Sequence, residues 1–212
     1  MCTIICSDCH GRPELIQNVI DDSGYDKNAD RLIFAGDIFD IGPDPSACMQ
    51  LLLRLNAEVL WGNHDVAAYF GLRISPQSRY DDSAYEQLRK MSPSMKAATT
   101  VNDILITHAG VGEIFYSKFF DCEVGAKKIQ NCINSTTWEI LWDNCGPLWY
   151  RPNAYDRLIP FVRQVFGHTP RKEYSVDPWI PEGYNSMNRY RYAVVEDGKI
   201  EIRDSKSNER KS

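Results

Sequence analysis

The chain has 212 residues, of which 43% are apolar and 25% charged, with a net charge of −5. That length suits one α/β domain with a real core, and the composition excludes general disorder. No basic tract precedes the tail "KSNERKS", so a nucleic-acid backbone is not the expected main partner. No apolar run reaches the length of a membrane span, and "MCTIICSD" lacks a basic leader with a long apolar stretch, so a cytoplasmic protein is expected. The seven cysteines are odd in number, which fits free thiols in a reducing compartment. Cys6 and Cys9 flank Asp8, but no second pair completes a zinc-thiolate set.

In chain order, "CTIIC" reads as a short buried strand. "RPELIQNVIDDSG" has helical spacing at Leu15, Ile16, Val19 and Ile20, with Pro13 in the first turn. "RLIFAG" is a second strand. "DPSACMQLLLRLN" is a second helix, with Asp44 or Ser46 as its cap. "AEVLWG" is a third strand. This alternation implies parallel pairing through right-handed crossovers. From Val66 to Pro93 the pattern is helical, broken at Gly71 and Pro76. "DILITHAG" is a fourth strand. Phe115 to Trp142 is mostly helical, and "NCGPLWYRPNAY" is an ordered loop. "FVRQVFGHTP" is a strand entering a turn. "YRYAVVEDGKIEIRD" is a hairpin turning at Glu196-Asp197-Gly198, and the chain is expected to fray from Ser205.

All four histidines follow strand-like runs, and each has a glycine beside it or close by, in "CSDCHG", "WGNHD", "ITHAG" and "VFGHTP". A fifth strand ends in "FAGDIFD". Taken singly, each string reads as a turn or a helix cap. Taken together, five strand ends deliver Asp8, His10, Asp37, Asp40, Asn63, His64, His108 and His168 toward one crevice, where open α/β sheets bind ligands. Carboxylate, imidazole and amide oxygen together suit a divalent metal of intermediate hardness.

The ordered strings D-x-H, G-D-x-x-D, G-N-H-D, H-A-G and G-H-T span Asp8 to Thr169 and resemble the calcineurin-like metallophosphoesterases. The resemblance implies an α/β fold with a central β-sandwich of mixed sheets flanked by helices, in four layers. It implies one domain over residues 1–204, with a helical and loop cap inserted around 111–160 and a frayed tail over 205–212. It also implies two divalent ions, manganese first, with iron, zinc, nickel or cobalt as alternatives. By motif, Asp8 and His10 would hold the first ion, Asp37 would bridge, and Asn63, His108 and His168 would complete the second. His64 would protonate the leaving oxygen, with its ring oriented by Asp40, while a metal-bridging hydroxide attacks phosphorus. Asp65 is expected only to cap the following helix.

Pro170 in "GHTP" stands where phosphodiesterase members carry a second histidine, and this resembles the phosphoprotein-phosphatase branch. The string "GPLWYR" also resembles that branch, so Arg151 is a candidate phosphate ligand. The branch commonly reads G-D-x-x-D-R-G, whereas Ile41 replaces that arginine here and Arg12 is a candidate substitute. "GPD", "GNHD" and "HAG" instead resemble the symmetrical dinucleoside tetraphosphate hydrolases. The expected substrate is therefore a phosphorylated molecule: a phosphate monoester first, with phosphoserine or phosphothreonine as candidates, and a dinucleoside polyphosphate second. A non-catalytic metal-binding scaffold is the competitor, and retention of His64 and Asp40 argues against it. Trp142, Trp149 and Tyr150 are expected to pack the cap rather than stack a nucleobase.

Overall fold

Apolar residues on both faces of the central strands set the layering. The computed structural model describes residues 1–76, 78, 82–120, 123–151, 155, 157–169 and 189–206; Cys122, Pro170 and residues 207–212 lie outside the described residues. Its elements run β1 (Thr3–Cys6), α1 (Pro13–Ser23), β2 (Arg31–Phe34), α2 (Pro45–Arg54), β3 (Glu58–Val59), α3 (Asn63–Tyr69) and α4 (Asp82–Met91). They continue as β4 (Ala98–Val101), β5 (Ile104–Thr107), α5 (Glu113–Phe119), α6 (Ala126–Ser135), α7 (Trp138–Leu141), β6 (Arg163–Val165), β7 (Arg189–Glu196) and β8 (Lys199–Lys206).

The first sheet has the order β3-β2-β1-β7-β8, and the second has the order β4-β5-β6. β1, β2 and β3 pair in parallel, as the alternation of strands and helices requires, whereas β7 joins β1 antiparallel. β5 pairs β4 antiparallel and β6 parallel. Because side chains alternate along a strand, Ile5 and Ile33 meet Ile104, Ile106 and Val165 between the sheets. Their neighbours Ile4, Cys6, Leu32 and Phe34 face the other way, with Ile16 and Val19 of α1 and Met49 and Leu52 of α2. α6 lies against β4 and β5 on the outer side of the second sheet. Strands buried on both faces carry unbroken apolar runs, which is why "TIIC" and "RLIF" do not alternate with polar residues.

Local chemistry fixes the boundaries. Asp44, not Ser46, caps α2: its carboxylate accepts the Ala47 N–H at 2.8 Å, and Pro45 opens the helix. α1 ends at Gly24, whose N–H donates to Ile20 O at 3.2 Å. The β7–β8 turn is two residues, Asp197 and Gly198, both with positive φ, which suits the twist of a tight hairpin.

Two expectations need correction. β4 is absent from the sequence reading, because "ATTV" follows a helical stretch and only its pairing with β5 across Asn102 and Asp103 reveals it. Fraying does not begin at Ser205. That residue is buried in β8, pairs with Tyr190, and its hydroxyl donates to Tyr190 O at 2.8 Å. Among the described residues, no helix is long and apolar enough to cross a membrane.

Candidate metal and phosphate site

The loops leaving β1 and β2 zip together. Asp8 N–H donates to Gly36 O at 2.8 Å, His10 N–H to Asp37 O at 3.0 Å, and Gly11 N–H to Ile38 O at 2.7 Å. Residues of these two loops, and His168 after β6, take the left-handed region that sequence rules reserve for glycine. Asp8 has φ 55°, His10 45°, Asp37 62°, Asp40 66°, Ile41 68° and His168 72°. Such backbone costs on the order of 1–3 kcal/mol per residue and collects at functional sites.

The glycines beside the histidines have a steric reason. A Cβ on Gly62 would stand 2.2 Å from Asp37 Oδ1, and one on Gly167 would stand 2.1 Å from Ser7 Oγ and 2.3 Å from Asp8 Oδ2. Both backbones pass too close to a site carboxylate for any side chain.

Four donor atoms converge behind the cleft. His108 Nε2 lies 2.9 Å from Asn63 Oδ1, 3.2 Å from His168 Nδ1 and 3.4 Å from Asp37 Oδ2. His108 Nδ1–H donates to Ala35 O at 2.8 Å, so its Nε2 turns a lone pair toward this point. His10 is fixed the same way, donating from Nδ1 to Phe39 O at 2.8 Å and leaving Nε2 3.8 Å from Asp37 Oδ2. Two metal-compatible clusters result: His10, Asp37 and His64, and Asp37, His108 and His168. Asp37 belongs to both. Asp8 lies in the same cleft wall, where its Oδ2 accepts from Ser7 Oγ and from His168 N–H at 3.2 Å. Ser7 is in turn tied to β7, because the Tyr190 hydroxyl donates to its carbonyl.

The electrostatics express crowding. Burial opposes charge on Asp37, but His108, His64 and His10 override it and hold the carboxyl well below its usual range. Burial alone would lower His108, yet Asp37 carries it up to about 9. Burial and then His108 push His168 down to about 2. Two imidazole nitrogens facing each other beside a buried carboxylate form a donor set that a cation satisfies better than a single proton. The oxygen and nitrogen donors thus fit divalent ions. The thiols do not join them: burial pushes Cys6 up to about 12 and Cys9 well above its ordinary value.

His64 stands apart from the donor cluster in one respect. Its Nδ1–H donates to Asp40 Oδ2 at 2.6 Å, and its backbone N–H donates to Asp37 Oδ1 at 2.9 Å. The ring meets His10 edge-on at a centroid distance of 4.9 Å. Burial lowers its pKa, but Asp37 and the hydrogen bond that the ring donates to Asp40 outweigh burial and raise it.

These residues open onto a cleft of about 390 Å³, whose outer wall is Ile41, Ile74, Ser75, Pro76, Trp149 and Arg151. Arg151 reaches it because the turn after Gly146 is pinned to the His108 loop by Ala109 N–H donating to Pro147 O at 2.7 Å. Arg12 sits at the start of α1 and does not line the cleft. Of the aromatic residues, Tyr150 is buried and Trp142 packs edge-on against Trp149, while Trp149 borders the cleft beside His168.

The sequence profile of the calcineurin-like phosphoesterases matches residues 1–185. The chain belongs to that family. A symmetrical bis(5'-nucleosyl)-tetraphosphatase of Glaesserella parasuis serovar 5 (strain SH0165) is 29% identical over 207 residues, covering 92% of this chain and 65% of the relative. The chain spans less than two thirds of the length of the curated relatives it matches. Among solved structures, a cold-active protein-tyrosine phosphatase of Shewanella has a TM-score of 0.66 at 14% identity, covering 97% of this chain and 80% of the other. A metallophosphoesterase from Sphaerobacter thermophilus has a TM-score of 0.56 at 18% identity, covering 96% and 88%. These likenesses show the four-layer fold, with mixed sheets flanked by helices.

Two parts of this phosphoesterase's site were not legible beforehand. Asp65, expected as a helix cap, accepts four backbone N–H groups from two loops. Ser78 donates to Asp40 Oδ2 at 2.9 Å, and nothing in "SPQSRYDD" marks it.

Proposed function

We propose that this phosphoesterase is a cytoplasmic, two-metal phosphatase that hydrolyses phosphate monoesters, with phosphoserine and phosphothreonine as candidate groups. The observation that carries this reading is the His64–Asp40 pair at 2.6 Å, standing at the cleft beside the donor set Asp37, His108 and His168, which includes neither residue. Asp8, His10 and Asp37 would hold one divalent ion, manganese first among the candidates, and Asp37, Asn63, His108 and His168 the other. When bound, such a pair neutralises phosphoryl oxygens and lowers the pKa of water so that it can attack in line.

The chain's own residues supply the rest. Asp40 accepts from His64 Nδ1 and so fixes the ring, leaving Nε2–H to donate to the departing oxygen. An alkoxide leaves poorly without that proton. Arg151 is the one Lys or Arg among the described residues lining the cleft, and its fork suits a single phosphoryl group. Ile41, Ile74 and Pro76 give the cleft an apolar flank beside it. The described cysteines are free thiols, which supports a reducing cytoplasm.

Hydrolysis of p-nitrophenyl phosphate by the purified chain is expected to be lost with EDTA and regained with manganese. A chain that binds no divalent ion by direct metal analysis would overturn the reading.

A second reading, symmetrical dinucleoside tetraphosphate hydrolysis, is favoured by the relatives named for that activity. Among the described residues Arg151 is the one lining cation, its fork suits one phosphoryl group better than four, and this is why the monoester comes first. Side-by-side turnover of a phosphoserine peptide and diadenosine tetraphosphate separates the two. Turnover of the dinucleotide alone reverses their order.

A further inference from the structure

We infer that Ser78 is a positioning residue for the Asp40–His64 pair, and this rests on the proposed role of His64 as the general acid. Ser78 lies outside every motif of the sequence. Its hydroxyl stands 2.9 Å from Asp40 Oδ2, the same oxygen that accepts His64 Nδ1–H at 2.6 Å. A carboxylate only accepts, so the hydroxyl donates. The Ser75 N–H donates to Ser78 Oγ at 3.2 Å, which occupies a lone pair and leaves the hydroxyl proton for Asp40. The Ser78 N–H returns to Ser75 O at 3.0 Å, closing the turn.

Asp40 is 5% exposed, and one of its two oxygens carries both contacts. A carboxylate held by His64 alone can rotate about its last torsion and carry the ring with it. The second donor from a different segment removes that freedom. The same turn presents Ile74, Ser75 and Pro76 to the cleft. This part of the cleft wall is therefore joined to the His64 ring through three hydrogen bonds.

The test uses leaving groups of different basicity. p-Nitrophenolate departs with little help, whereas phenolate needs the proton. Ser78→Ala is expected to lower kcat about tenfold on phenyl phosphate and less than about threefold on p-nitrophenyl phosphate, the size expected for one hydrogen bond to a charged group. Bound metal should be unchanged. Ser78→Thr, which keeps the hydroxyl, should stay within about threefold of the parent on both substrates. Equal losses on the two substrates would mark a general structural effect and overturn the inference, as would no loss on either. His64→Asn serves as the reference. If it separates the substrates and Ser78→Ala does not, the Ser78 inference alone falls. If His64→Asn lowers both alike, the reading of His64 as the acid falls, and the inference with it.

Discussion

Replacing His64 by asparagine is expected to slow hydrolysis of an alkyl phosphate by about 10²–10⁴-fold, the usual worth of a positioned general acid. Asparagine keeps a donor near Asp40 but has no proton to release. Its backbone N–H still reaches Asp37 Oδ1, so the loop that carries Asn63 keeps its anchor. Bound metal should therefore stay near the parental level, and the loss should fall in kcat rather than KM. The pH profile gives a second readout. Burial opposes the charge on His64, but Asp37 and Asp40 outweigh it and raise the pKa, so its acid form persists to higher pH than a free imidazole's and disappears as pH rises above that raised value. The alkaline limb that this titration imposes on the parent should be missing in the variant. Loss of metal in His64→Asn would instead make His64 a ligand, as its distance to His10 and Asp37 allows. Full turnover would remove it from the reaction.

The five strand ends were legible because their sequence signals are local. A buried strand followed by Asp, Asn or His beside glycine shows itself in any one segment, and parallel order then brings the segments together. Asp37 and Asn63 come to one point because β1, β2 and β3 pair in parallel, and that pairing follows from the alternation of strands and helices. β4 was not legible, since "ATTV" becomes a strand only through β5. Arg151 follows a recognisable string, but its place at the cleft comes with the docking of the turn after Gly146 on the His108 loop, where Ala109 N–H donates to Pro147 O, and no pattern records that contact. Ser78 was invisible for the same reason. A serine between two loops has no spacing to read, and its role comes only from the fold bringing it back to Asp40, 38 positions earlier in the chain. Ile41 is a different case. The sequence marks the missing arginine, and the fold places the isoleucine in the cleft wall, where it makes the site more apolar rather than filling the charge from elsewhere.

Asp65 carries the second large effect. Its Oδ1 accepts the N–H groups of Ile38 at 2.8 Å and Phe39 at 3.1 Å, and its Oδ2 those of Asp37 at 2.8 Å and Gly62 at 3.0 Å. One fully buried carboxylate thus joins the β2 loop, which presents Asp37 and Asp40, to the start of α3, which presents Asn63 and His64. In Asp65→Asn one oxygen becomes an NH₂ group. Two backbone donors then face a donor, and each buried N–H left without a partner costs about 1–3 kcal/mol. A loss of about 2–6 kcal/mol is expected, which at this chain length lowers Tm by roughly 4–24 °C. The damage should not stop at stability. Asp37 holds its left-handed backbone, at φ 62°, partly through the N–H that Asp65 accepts. Freed of it, the residue shared by both donor clusters loses its aim, and Gly62, whose backbone passes against Asp37, loses the contact that keeps it there. Metal content measured on folded Asp65→Asn well below its Tm should therefore fall with activity. A variant that melts early but binds metal and turns over normally would reduce Asp65 to the helix cap that the sequence suggests.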